Sequence, residues 1–252
     1  MTIGKYIRIF LLASILLPAT TMAQFTVSPT DARSAAMGGC LNTFVDKTFH
    51  IAIGYRQGYL VSGMATRNFI VSSPIGKRSL AGAYYTHFGD PDYHEQQAAA
   101  TYSIAVSDWL TIGVYGLYSH QGTSDPHYSP YHTIDGGASV IAETKDITAY
   151  AVAGSRRWDN NRPWILRTGL AYKPLLQFLT IVELDIEHLT RFRCGMEYSY
   201  RNGITLRTGF ATNPLVMTFG AGYKSNRYHI DLSTETHSTL GLSPQISIGI
   251  CL

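Results

Sequence analysis

His229, Asp231 and Ser233 occupy every second position of "YHIDLSTE" and carry the residue types of a base, an orienting carboxylate and a nucleophile. On a strand the three share one face, but a step of two residues spans roughly 6.5–7 Å. Their functional atoms then stand side by side instead of converging on one proton, so the spacing does not build a triad. A lipid hydrolase would need a nucleophile and base brought together from elsewhere, and no catalytic residue is assigned. His87 lies in "HFGDPDYHE", which carries residue types that ligate metals, yet no ligand spacing repeats there, and no metal or cofactor is assigned. Cys40, Cys194 and Cys251 are odd in number and widely spaced, without the paired spacing of a zinc site or a disulfide framework, and read as incidental.

The remaining polar chemistry is ionic. Glu183, Asp185 and Glu187 alternate with Val182, Leu184 and Ile186; Arg191, Arg193, Gly195 and Glu197 alternate with Phe192, Cys194, Met196 and Tyr198. Antiparallel pairing across the turns between them lets opposite charges meet. A hairpin centred on Leu189 opposes Asp185 to Arg193 and Glu187 to Arg191. The turn at Asn202-Gly203 opposes Glu197 to Arg207, and the connection 173–177 opposes Arg167 to Glu183. Charges withdrawn from water must be paired, so these pairs are read as structural, fixing register between neighbouring strands rather than lining a solute path.

The elements that position these charges are strands. From residue 49 onward helical periodicity is almost absent, and apolar and polar residues alternate with period two. The stretch "QISIGICL" puts Ile246, Ile248, Ile250 and Leu252 on one face and Gln245, Ser247, Gly249 and Cys251 on the other. Fourteen such runs fit between 49–57 and 244–252; the runs 60–73 and 147–155 alternate poorly, leaving twelve as the lower count. Connections roughly alternate in length: "GDPDYHEQ", "QGTSDPHYSP", "RRWDNNRP" and "THSTLGLSP" against "SDW", "ETKD", "RNG" and "SN". This is the rhythm of a membrane barrel with long outer loops and short periplasmic turns, both ends of the chain lying in the periplasm. A soluble sandwich also alternates, but Tyr172, Tyr198, Tyr200, Tyr223 and Tyr228 cluster at strand ends like an aromatic girdle. The expected fold is an all-β antiparallel transmembrane barrel of about 14 strands, its apolar face toward lipid and its charged face toward the lumen.

Composition agrees with export to such a setting. Lys5 and Arg8 precede an apolar run too short to span a bilayer as a helix, and Thr21-Met22-Ala23 suits a signal peptidase, placing a signal peptide at 1–23. Loss of those two cations lowers the formal charge from +3 to +1, too balanced for a nucleic-acid surface. With 23 Gly, 17 Tyr and only 15% charged residues, the chain suits a Gly- and aromatic-rich barrel. Residues 24–48 form an N-terminal segment and 49–252 the expected barrel.

"DARSAAMGG" resembles the "GAR...GMGG" motif of outer-membrane barrels in the long-chain fatty-acid transporter (FadL-like) superfamily, in particular the Bacteroidota branch that contains the type IX secretion proteins PorV and PorQ. "ILRTGLAYKP", "RFRCGMEYSYRNGITLRTGFATNP", "FGAGYK" and "LGLSPQISIGICL" look like the C-terminal half of that branch, in order. The family's Asn-Pro-Ala-Gly element does not follow; "CLNTFVDKTFHIAIGY" runs straight into a strand. The resemblance implies that residues 24–48 are a hatch folded into the lumen, with Arg33, Met37, Gly38 and Gly39 in its motif. Small residues there allow a backbone to pack closely against a barrel wall. It further implies a non-enzymatic protein of the Gram-negative outer membrane, acting in envelope transport or type IX secretion assembly, or as a conduit for small hydrophobic solutes. The expected partners are outer-membrane lipids with secretion or envelope proteins or a hydrophobic small molecule; nucleic acid is excluded.

Overall fold

A computed structural model describes residues 31–41, 48–155, 164–187 and 189–252. The signal-peptide reading at 1–23, parts of the hatch segment (24–30 and 42–47) and the connection around Asn160 lie outside them. Fourteen strands follow one short helix, α1 (Ala32–Ala36). They are β1 (His50–Gln57), β2 (Ala65–Ile75), β3 (Ser79–Gly89), β4 (Tyr93–Ala105), β5 (Leu110–Thr123), β6 (Tyr131–Glu143) and β7 (Ile147–Ser155). The second half comprises β8 (Trp164–Leu175), β9 (Phe178–Ile186), β10 (Thr190–Ser199), β11 (Ile204–Ala211), β12 (Val216–Lys224), β13 (Tyr228–His237) and β14 (Gly241–Cys251). Each pairs antiparallel with its sequence neighbours, and β1 pairs with β14, so the sheet closes and no edge is left unpaired. The weakly alternating runs form β2 and β7, which settles the count at fourteen.

The period-two pattern is turned inside out relative to a soluble protein. On β14, Ile246, Ile248 and Ile250 are exposed while Gln245 and Ser247 are buried. On β13, Leu232 is exposed and Asp231 buried; on β10, Met196 and Tyr198 are exposed and Glu197 buried. An outward apolar face continuing around the wall has no counterpart on a water-soluble monomer, where apolar patches stay small. In a bilayer it is the required surface, because the closed ladder satisfies every strand's backbone groups internally. Exposed Tyr172, Tyr198, Tyr200, Tyr223 and Tyr228 stand with Trp109 toward one end of the wall; Tyr55, Tyr85, Tyr118 and Trp164 stand toward the other. The molecule is a transmembrane β-barrel. No described helix is long and apolar enough to cross a membrane.

Two registers differ from those the sequence suggests. Asp185 stands opposite Arg191, not Arg193, and Arg193 stands opposite Glu183; Glu187 lies beyond the last residue of β9. Arg167 stands opposite Asp185 rather than Glu183. In the first case the hairpin centres one residue earlier than Leu189. In the second, β8 continues to Leu175 and the ladder carries an irregularity between Tyr172 and Leu175. Moving a turn centre by one residue changes partners by two, which preserves the face each side chain occupies. The Asn202-Gly203 turn does oppose Glu197 to Arg207, with Asn202 and Gly203 both at positive φ.

Candidate functional site: the hatch and the lumen wall

Residues 31–41, here called the hatch, lie against the lumen face of the wall and are placed there by local chemistry. Asp31 caps α1, its carboxylate accepting from the Ser34 backbone N–H at 2.5 Å. The helix is one turn of small residues, all but Arg33 buried, and Met37-Gly38-Gly39 then reverses the chain; Gly38 has φ +72°. Three wall glycines on adjacent strands leave room for it. A Cβ on Gly195 would lie 2.6 Å from the Met37 carbonyl oxygen, and one on Gly220 would lie 2.5 Å from the Ala36 Cβ; Gly209 meets the Met37 carbonyl carbon at the same 2.5 Å. Side chains at these positions would push the hatch off the wall.

Polar groups of the wall then satisfy the hatch backbone. The Thr218 hydroxyl donates to the Ala36 carbonyl and accepts from the Gly38 N–H, both at 2.9 Å. Arg193 donates to the Gly39 carbonyl at 2.9 Å, Glu183 accepts from the Leu41 N–H at 2.9 Å, and Ser247 accepts from the Ala32 N–H at 3.3 Å.

The charges form two clusters, and both hold the hatch. In the first, Arg33 donates to both Glu197 oxygens at 2.8 and 2.9 Å, Arg207 donates to Glu197 at 2.7 Å, and Arg207 also reaches Asp231 at 2.5 Å. The run Arg33–Glu197–Arg207–Asp231 alternates in sign. Burial alone would lower the Arg33 pKa, but Glu197 beside it outweighs that and holds it above the ordinary value. Arg207 on β11 reaches Asp231 on β13 across β12 because Gly222 stands between them; a Cβ there would lie 2.6 Å from an Arg207 nitrogen.

In the second cluster, Arg167 lies 2.9 Å from Glu183 and 3.4 Å from Asp185, while Arg193 lies 3.0 Å from Asp185 and 3.7 Å from Glu183. The two shorter contacts, Arg167 to Glu183 and Arg193 to Asp185, are diagonal ones between residues the backbone register does not oppose. The Tyr150 hydroxyl donates to Glu183 at 2.6 Å. Register sets Arg191 opposite Asp185 and does not bring it opposite Glu187, which lies beyond the end of β9.

Tyr150 and Asp231 were not among the sequence candidates as members of these clusters. Their partners lie two strands away, a distance that pairing rules for adjacent strands do not reach.

The wall away from the hatch is different. Register places Ile70, Tyr84, Leu117, Tyr115, Ile141 and Val152 on the lumen face of β2 to β7, alternating with outward residues. Asn68, Gln97, Ser119, Thr133 and Asp135 share that face, so opposite the ion-paired wall of β8 to β13 the lumen is lined by apolar and aromatic side chains interleaved with polar ones.

His229, Asp231 and Ser233 do not converge. His229 contacts His50, Asp231 is held by Arg207, and the buried Ser233 hydroxyl has no hydrogen-bond partner among the described residues. His87 and His94 join His120 and His132 in a row on the outward face, their ring centroids 6.1, 5.6 and 4.6 Å apart in turn. These rings line the outside of the wall rather than the lumen.

No family model matches the chain, and no curated protein matches it. Solved structures do. The toluene transporter TbuX of Ralstonia pickettii superposes with a TM-score of 0.61 at 13% identity, covering 89% of this chain and 97% of that one. The toluene transporter TodX of Pseudomonas putida gives 0.60 at 13%, covering 90% and 98%. The monoaromatic hydrocarbon channel CymD gives 0.62 at 11%, again covering 90% and 98%. At these identities the likeness establishes a shared fold: this chain has the barrel architecture of those hydrocarbon channels.

Proposed function

We propose that the protein is a conduit for small hydrophobic solutes in the outer membrane of a Gram-negative bacterium, FadL-like in operation. The observation that carries this reading is the two-sided lumen. One side holds a hatch by ion pairs and backbone hydrogen bonds, and the other presents Tyr84, Tyr115, Leu117 and Val152 among polar side chains, giving an apolar molecule surface to contact. The shared fold with TbuX, TodX and CymD supports it. No step needs a catalytic residue or a cofactor; the protein supplies a path and a plug.

Passage requires the hatch to shift or a gap to open beside it. The hatch is held by groups whose partners are all on the wall, so it moves as one piece when those bonds exchange. A toluene-sized molecule is a suitable probe of the β2-to-β7 side of the lumen.

Envelope assembly of the PorV/PorQ kind, in a Bacteroidota type IX secretion system, is the second reading, supported by "DARSAAMGG" and by the resemblance over 164–252. The connection 90–92, inside the stretch "GDPDYHEQ" that the sequence suggests is a long outer loop, is only three residues because β3 and β4 pair as far as Gly89 and His94; with 212–215 it offers little surface to a protein cargo, which places this reading behind the conduit. The two separate in one experiment: the protein is purified in mild detergent and both co-purifying proteins and lipophilic molecules are identified by mass spectrometry. Saturable binding of toluene without stoichiometric protein partners supports the conduit. Stoichiometric envelope proteins together with no toluene binding overturn it.

A further inference from the structure

Barrel closure gathers three metal-binding side chains that lie far apart in the sequence. His50 opens β1, Cys251 ends β14, and His229 is the second residue of β13. The seam register sets His50 opposite Cys251, and His229 opposite Gly249 on the intervening strand. All three therefore lie on the lumen side at the same end of the wall, the end at which the chain enters β1.

The His50 and His229 Nε2 atoms are 3.4 Å apart, with the rings stacked at 5.0 Å and 24°. Cys251 Sγ is 4.0 Å from His229 Nδ1, and one donor atom from each of the three residues lies within 4.8 Å of the others. A tetrahedral ion with nitrogen ligands at roughly 2.0–2.1 Å and sulfur at about 2.3 Å holds its donors about 3.3–3.6 Å apart. The two Nε2 atoms already stand at that separation; the 4.0 Å sulfur contact is to the other nitrogen of the His229 ring, so His229 coordinates through one nitrogen and the Cys251 side chain rotates from within 4.8 Å to complete the set. Gly249 leaves the space His229 occupies, since a side chain there would meet the imidazole ring. Lys224 faces His229 from β12 but is exposed, which keeps its ammonium in water.

We propose that His50, His229 and Cys251 hold a divalent transition-metal ion, zinc by the nature of the ligand set, with the fourth position open to water. Imidazole and thiolate are both ligand types of zinc sites, and the set contains no carboxylate that would favour magnesium or calcium. On binding, Cys251 releases its thiol proton to solvent and the sulfur coordinates as thiolate. The ion ties β1 to β13 and β14, the strands at the seam where the barrel closes. It thereby stabilises the closed form by mass action.

Cobalt(II) is the probe, added to the refolded full chain in detergent. A thiolate-to-cobalt charge-transfer band saturating at one equivalent and displaced by zinc is expected. Cys251→Ser should abolish the band and His229→Gln should weaken binding at least tenfold, while both still give the folded, fast-migrating band on unboiled gels. Cys194→Ser, on the outward face, should leave the titration unchanged. A folded wild-type protein with no one-equivalent band overturns the site, as does a band that survives Cys251→Ser. Should Cys251→Ser fail to refold, the wild-type protein still decides. Zinc must slow alkylation of Cys251 relative to Cys194 in the folded barrel, and equal rates with and without zinc reject the proposal.

Discussion

Glu197 accepts hydrogen bonds from Arg33 of the hatch and Arg207 of the wall, so its removal leaves two arginines facing each other inside the lumen. The side chains of Glu197 and Arg207 are 10% and 7% exposed, near the buried limit, where losing one partner of an ion pair costs roughly 3–5 kcal/mol. Urea unfolding of Glu197→Ala, Arg207→Ala and the double mutant in detergent should show strong coupling, the double mutant losing far less than the sum. Coupling near zero would mean that water screens the pair as it does on a surface, where such a bridge is worth about 0–1 kcal/mol.

Cys40 gives a second test at this scale. Burial pushes its thiol above the ordinary value, with Glu183 adding to the effect. The folded barrel therefore holds it neutral while the unfolded chain ionises near pH ~8.5. Its contribution to stability is fully present below that pH and is lost as pH rises above it. Alkylation at pH 8 should accordingly be slow in the folded protein and fast in urea. Equal rates would contradict the burial.

The identity of the charged residues was legible in the sequence, because alternation alone separates Glu183 and Arg193 from Val182 and Phe192. Asp185–Arg193, Arg167–Glu183 and Glu197–Arg207 meet as side-chain contacts; the backbone register behind the first two was not legible, because a turn centre displaced by one residue sets Arg191 opposite Asp185 without changing the face of either.

At the scale of elements, the hatch depends on backbone approach. Gly38 has φ +72°, and a Cβ there would lie 2.6 Å from the Phe210 carbonyl oxygen. Gly38→Val combines a left-handed backbone for a branched residue with that contact, a strain on the order of 1–3 kcal/mol before the clash is counted. The substitution should detach the hatch and leave the strands paired. Limited proteolysis should then cleave near residues 31–41 in the variant and not in the wild type, while the barrel core persists; equal protection would show that the turn is not what seats the hatch. "DARSAAMGG" announced a close-packed turn by its small residues. The wall that receives it was not readable, since Gly195, Gly209 and Gly220 become one platform only when three strands align.

The strands also carry an orientation, taken from connection lengths. A cysteine placed at Ser124 should react with an impermeant reagent on intact cells, and cysteines at Lys145 or Ser225 should not. The reverse pattern would invert the barrel in the membrane.

For the whole molecule, closure of fourteen strands with an apolar exterior makes the native state resistant to detergent, because the paired backbone cannot be replaced by water. Closure was the least legible feature. Period two reports which face a residue occupies but not which strand meets which at the seam, and the meeting of His50 with Cys251 follows from that seam alone. The apolar residues of the lumen were equally hidden, since Leu117 and Val114 are both aliphatic and only the register assigns one to the lumen and the other to lipid. The account's central claim is that the β2-to-β7 side of the lumen carries a small hydrophobic solute. Leu117 stands on it, opposite Ala99 and Asp135. The deciding measurement is the initial rate of labelled toluene uptake by outer-membrane-intact cells expressing the wild type, Leu117→Arg or empty vector. Both proteins must first be shown to be folded, by faster migration without boiling. The account predicts uptake above vector for the wild type and a loss of at least tenfold of that increment in Leu117→Arg. Wild-type uptake equal to vector, or an unchanged rate in a folded Leu117→Arg barrel, would contradict it.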